Sequence, residues 1–122
     1  MKLLKIRAYD IEEKRMIQPY ATLDGVDLSL NDRLHPSGKI FLMFFSGKLD
    51  SDKKEMYEYD TVIAYTNTEF GSVMKEDGII LYNENLAAFI VSIKGKDRWD
   101  YLSNFFRLEV NGYELPKLND RI

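Results

Sequence analysis

Apolar and polar residues alternate along much of the chain with the two-residue period of half-buried strands, not the 3.6-residue period of helices. Leu4, Ile6 and Ala8 interleave with Lys5, Arg7 and Tyr9. Asp10 to Lys14 then reads as a polar turn, and Arg15-Met16-Ile17 as a short return strand, so the chain opens on a β-hairpin. From Gln18 to Lys39 the pattern weakens. Pro19, Asp24-Gly25, Asn31-Asp32 and Pro36-Ser37-Gly38 punctuate it, and only Val26 to Leu30 alternates. That stretch reads as a long connection holding one short strand.

Ile40 to Phe45 is a continuous apolar run rich in Phe, too short for a buried helix and suited to a buried strand. It enters a Ser46-Gly47 turn, passes a charged tip and returns through Met56-Tyr57 to a further strand, Thr61 to Tyr65. Phe70 to Lys75 and Ile79 to Tyr82 look like a hairpin closed by Glu76-Asp77-Gly78, with the glycine supplying a positive φ. Asn83-Glu84-Asn85 turns the chain into Leu86 to Ile93, which Lys94-Gly95-Lys96 ends. One segment breaks the rhythm: Trp99, Leu102, Phe105 and Phe106 recur at helical spacing behind Asp97, a good N-cap, with Asp100 in the first turn. About two turns of helix are expected within residues 97–106. Leu108 to Val110 and Asn111-Gly112 then make a last strand and turn. Short strands with turn signals this frequent predict a mostly-β chain, a small barrel or a sandwich.

Composition narrows the setting. At 122 residues, with 45% hydrophobic and 30% charged residues, the chain suits a single domain, residues 1–122, with a packed core. Seventeen Lys and Arg against twenty Asp and Glu give a net charge of -3. Proteins that neutralise phosphates are usually basic, so nucleic acid is disfavoured as a default partner. The absence of cysteine removes disulfides, thiolate nucleophiles and Cys-ligated metal sites. The N-terminus interleaves charges with apolar residues and so does not read as a signal peptide, and no apolar run approaches the ~20 residues that span a bilayer. A soluble protein of the bacterial cytoplasm is expected.

Three blocks carry a resemblance. Ile6-Arg7-Ala8-Tyr9-Asp10 with Lys14-Arg15-Met16-Ile17 is similar to F-R-A-W-D…K-K-M-I. Phe44 to Val62 parallels Q-Y-T-G-L-K-D-K-N-G-K-E-I-Y-E-G-D-I-V, and Val110-Asn111-Gly112 with Tyr113 to Leu118 is a shortened V-I-G-N-I-Y-E-N-P-E-L. In order and spacing the chain resembles the YopX-like phage and prophage proteins. The resemblance implies a mostly-β protein with an SH3-like barrel, often self-associating, and no established activity. On this basis residues 1–39 form the N-terminal hairpin and irregular connection, and residues 40–122 the SH3-like barrel. The pattern's turn glycine falls here on Lys53, and the glycine of its E-G-D on Tyr59. Tyrosine tolerates positive φ poorly, so an ordinary backbone is expected at Tyr59, with Asp50 or Asp52 supplying the turn chemistry at the tip.

Candidate chemistry is sparse. His35, the single histidine, sits beside Pro36 in a turn-rich stretch and reads as a solvated loop residue with no catalytic partner. Asp50, Asp52 and Glu55 loosely resemble a calcium loop but lack its glycine and distal bidentate acid, which favours a solvated turn. Glu58 and Asp60 could pose as an acid–base pair, yet Asp60 is better placed to bond backbone N–H groups at a strand entry. Lys94, Lys96 and Arg98 gather beside Trp99 and Tyr101, the composition of a patch that grips single-stranded nucleic acid through phosphates and stacked bases. The competing reading buries Trp99 in a helix face and leaves the cations solvated. No cofactor and no metal is implied, and an enzyme is not expected. The expected function is a non-enzymatic binding or assembly protein of phage origin, and the alternative is a nucleic-acid-binding accessory factor. Aromatic content of 13%, with Phe44, Phe45, Phe105, Phe106 and Tyr113 beyond what one small core needs, points to a homo-oligomer.

Overall fold

The computed structural model describes residues 4–22 and 38–116. The expected short strand at Val26 to Leu30, His35, and the last residues of the third sequence block lie outside the described residues. The chain is mostly β, with a curled, half-barrel sheet. It divides into two compact units, Met1–Ser46 and Gly47–Ile122. Among the described residues no helix is long and apolar enough to cross a membrane.

In the first unit, β1 (Leu4–Asp10) pairs antiparallel with β2 (Arg15–Thr22) on one side and with β3 (Ile40–Leu49) on the other. The β1–β2 turn is tied by the Glu13 N–H donating to Asp10 Oδ1 at 3.0 Å, and Lys14 takes a left-handed φ of 55°. Ile6 and Ala8 face Phe44 and Leu42 in register, and all four are buried. On the opposite face Arg7 lies across from Met43 and its Nε donates to Met43 Sδ at 3.2 Å. Phe41 to Phe44 are all buried, so β3 is covered on both faces, as its unbroken apolar run requires. The anticipated turn at Ser46-Gly47 is not there. The strand runs on to Leu49, and Gly47 absorbs a φ of 85° within it.

The second unit holds β4 (Glu55–Tyr57), β5 (Asp60–Asn67), β6 (Val73–Asn83), β7 (Ala88–Ile93), β8 (Trp99–Tyr101) and β9 (Arg107–Tyr113). Five of these form an antiparallel sheet in the order β8-β7-β6-β5-β9. Met56, Val62, Ala64, Ile80, Val91, Ile93, Leu102 and Leu108 make its core. Each larger side chain contributes about 1.5–3 kcal/mol by leaving water.

Three expectations fail here for physical reasons. Glu76-Asp77-Gly78 is no turn: β6 passes through it without a break, with Gly78 opposite Val62 on one side and Ile93 on the other. The glycine is needed for space, because a Cβ there would meet Val91 Cγ1 at 2.5 Å. The real turn lies earlier, at Thr68 to Ser72, where Gly71 has φ 77°. Nor is there a helix capped by Asp97. Trp99 to Tyr101 pair with Ser92 to Ile90 as a strand, and only a three-residue 3₁₀ turn, Leu102–Asn104, follows. The ladder satisfies β7's backbone groups, which a helix in this position would leave open. Asn111-Gly112 continues β9 and forms no turn: Thr61 faces Gly112 and Val62 faces Val110, so Asn111 is the extra residue of a bulge. The Thr61 hydroxyl donates to its Oδ1 at 2.7 Å.

Tyr59 also departs from expectation, with φ 66°. Both its backbone groups are committed over long range. Its N–H donates to the Ile80 carbonyl at 2.7 Å, and its carbonyl accepts the Glu114 N–H at 2.9 Å. Those two bonds hold a conformation that costs a non-glycine residue roughly 1–2 kcal/mol. Lys53 is left-handed as well, at φ 64°.

Candidate interaction edge

The two edges of the five-stranded sheet are treated differently. At β9 the outward backbone groups meet the turn that follows β3. The Leu108 carbonyl accepts the Ser51 N–H and the Ser51 hydroxyl, both at 2.9 Å, and the Val110 N–H donates to Asp50 Oδ2 at 2.9 Å. The other oxygen of Asp50 accepts the N–H groups of Asp52 and Lys54, each at 2.8 Å. Burial opposes the charge of this carboxylate, but the donors Val110, Lys54 and Asp52 together hold its pKa below the ordinary 3.8. The turn chemistry expected of Asp50 is therefore present. These are the bonds of a hydrogen-bonded turn, and Asp50 itself is buried. Among the described residues no group of three or more His, Cys, Asp or Glu could hold a metal.

Asp60 takes the structural role expected of it. Its Oδ2 accepts the Tyr57 N–H at 2.8 Å, and both Asp60 and Glu58 are buried.

At the opposite edge, β8 carries Trp99 and Tyr101 of the predicted patch, with Arg98 just before it, while Lys94 and Lys96 lie in the turn from β7. The Arg98 carbonyl accepts the Ile93 N–H at 2.9 Å. Antiparallel ladders alternate, so the backbone groups of Trp99 and Tyr101 turn away from β7, toward the side where no described strand pairs. The Tyr101 N–H is covered locally: Asp100 Oδ1 accepts it at 2.8 Å and also accepts Asn104 Nδ2 at 2.7 Å. Trp99 and Tyr101, two residues apart, share a face, with rings edge to face at 5.6 Å and 89°. Trp99 is 45% exposed and Tyr101 38%, so the buried helix-face reading of Trp99 does not hold. A cleft of about 200 Å³ opens beside them, lined by Ile93, Arg98, Trp99, Asp100 and Phe105 among others.

The cations are occupied. Lys94 Nζ pairs with Glu114 Oε2 at 2.5 Å, and Lys96 Nζ with Glu76 Oε2 at 2.8 Å, while Arg98 takes the other oxygen of Glu76. The Glu76 side chain is only 7% exposed. Drawing Lys96 and Arg98 onto phosphates would strand a nearly buried carboxylate, which is costly. Glu76 and Glu114 escaped the sequence reading. Each lies 20 residues from its lysine, and the local sequence around Glu76 has the chemistry of a turn.

The chain matches no family model and no curated protein among those compared.

Proposed function

We propose that this chain is a non-enzymatic binding protein of phage or prophage origin, YopX-like in type, that takes a protein partner at the β8 edge and acts in the host cytoplasm. The observation that carries the reading is β8 itself: an edge strand whose outward backbone lies beside two half-exposed aromatics, while the opposite edge is closed by Asp50 and Ser51. An extended segment can add to such an edge by main-chain bonds and be selected by the aromatics. The five-stranded antiparallel sheet and the curled sheet support the SH3-like barrel. Left-handed backbone at Lys53 and Tyr59, the two positions where the YopX-like pattern carries glycine and this chain does not, supports the relationship.

The exposed aromatics also suit base stacking, so the test separates the two partners. Immobilised wild-type protein and the W99S/Y101S variant are compared for what they retain from nuclease-treated host extract. A protein held by the wild type and lost from the variant is the expected result. In parallel, single-stranded oligonucleotide is titrated against Trp99 fluorescence at several salt concentrations. Quenching that weakens steeply with salt would replace the protein-partner reading with the nucleic-acid one. Phage genes flanking the coding sequence are expected, and a purely housekeeping neighbourhood would count against the origin.

A further inference from the structure

β8 presents a different chemistry on each side of its edge. Cross-strand partners in a ladder share a face, and Asp100 is paired with Val91, a core residue. Asp100 therefore stands on the core side of the sheet, where it lines the cleft of about 200 Å³ with Ile93, Asn104 and Phe105. Trp99 and Tyr101, paired with Ser92 and Ile90, stand on the other side.

The backbone fixes how a further strand adds here. The N–H and carbonyl of Trp99 both turn away from β7, and a single antiparallel residue satisfies the two together. Tyr101 offers its carbonyl in the same direction, while its N–H is already bonded to Asp100 Oδ1. An antiparallel arrival continues the sheet as built, since all its ladders are antiparallel. The residue arriving opposite Asp100 then occupies a non-hydrogen-bonded pair, in which Cα atoms approach to about 4.5 Å and side chains lie closer.

Charge decides what that residue is. Asp100 Oδ1 accepts the Tyr101 N–H and Asn104 Nδ2, so the carboxylate is oriented, but among the described residues no cation neutralises it. The nearby cations are committed elsewhere, Lys94 to Glu114 and both Lys96 and Arg98 to Glu76. Arg98 also lines the cleft, with its guanidinium held on Glu76. A long basic side chain can bring its head to Asp100 while its methylenes lie along Phe105.

We infer that the segment taken at β8 is extended and basic, adding antiparallel with a Lys or Arg opposite Asp100, between two apolar residues that face Trp99 and Tyr101. This rests on the β8 reading above and names the chemistry of the occupant. A phosphate backbone is the wrong complement for a strand whose one charged side chain is a carboxylate.

The test is a selection from a random decapeptide library displayed on filamentous phage, with immobilised wild type and W99S/Y101S as bait. Peptides held by the wild type and lost from the variant are expected to carry Lys or Arg flanked on both sides by apolar residues. One such peptide, lacking tryptophan, is then synthesised and titrated against the fluorescence of Trp99, the only tryptophan in the chain. Exchanging its basic residue for glutamine is expected to weaken binding about tenfold. The exchange is made in the peptide, so the basic preference is measured on unaltered protein. D100N retains an Oδ1 acceptor for Tyr101 and Asn104, and for this variant the same exchange is expected to change nothing, the mark of a coupled pair. Proline opposite Trp99 is expected to abolish binding, because it removes the N–H that the Trp99 carbonyl accepts. A retained set with no basic preference, equal losses with wild type and D100N, or tolerance of that proline would overturn the inference and leave the β8 reading standing. Failure to find any peptide that depends on Trp99 and Tyr101 would overturn both.

Discussion

Asp50 offers the sharpest test of how this chain holds its β9 edge. Its carboxylate accepts three backbone N–H groups, and hydrogen bonds to an ionised acceptor each contribute about 1.5–3 kcal/mol. In Asp50→Ala the N–H groups of Asp52 and Lys54 turn to water, because both residues are exposed. The Val110 N–H, half-buried at the sheet edge, has no such recourse. Counting that bond in full and the others in small part gives a loss of roughly 2–4 kcal/mol. For a chain of this size that is on the order of a 10 °C fall in Tm. Asp50→Asn keeps Oδ1 but sets an amide donor against the Val110 N–H, for a loss of about 1–3 kcal/mol. The pH dependence gives a second, independent reading. A carboxyl whose folded pKa lies below 3.8 stabilises fully above that value, and its contribution fades as pH falls through the folded pKa. Below about pH 4 the wild type should therefore lose stability more steeply than Asp50→Asn. Urea unfolding followed by Trp99 fluorescence, repeated from pH 7 downward, measures both. An Asp50→Ala loss under about half a kilocalorie, or parallel pH profiles for wild type and Asp50→Asn, would refute the reasoning.

Gly78→Ala should destabilise by about 1–3 kcal/mol, since the new methyl meets Val91 Cγ1 in the packed core; an unchanged thermal midpoint would show that Val91 gives way freely. Lys53→Gly, at an exposed left-handed position, should stabilise by up to about 1 kcal/mol, because relief of strain exceeds the added unfolded-state entropy. The denaturation midpoint reports its sign. Phe44→Ala should cost ~3–5 kcal/mol because the ring is buried, and a change within half a kilocalorie in chemical denaturation would contradict that burial.

What could be read from the sequence was the part of the fold written locally. The alternation of Leu4 to Tyr9 and the unbroken run from Ile40 announced strands, and both are there, because burial of one face or of two leaves a period in the chain. The failures share a cause. Glu76-Asp77-Gly78 carries the chemistry of a turn, but Gly78 is small to make room for Val91, a neighbour that no short window contains. Trp99 and Leu102 have helical spacing, yet the open edge of β7 claims the backbone from Trp99 to Tyr101. Tyr59 is left-handed because Ile80 and Glu114 hold it there, and neither is adjacent in sequence. The candidate patch was legible in its residue types but not in its electrostatics. The carboxylates that occupy Lys94, Lys96 and Arg98 arrive from other strands and loops, and only the fold brings them together.

The pairing of β5 with β9 has a consequence during synthesis. About forty residues separate the end of β5 from the start of β9, and β5 has no second neighbour until the latter arrives. At roughly 5–20 residues per second, a ribosome leaves the nascent sheet half-finished for several seconds. Throughout that interval Val62 and Ala64 lack their cover from Leu108 and Val110, and one side of β5 offers bare amides and carbonyls to whatever passes. A transcript cut short before Arg107 would fix the chain in that state, making it a substrate for chaperones and proteases.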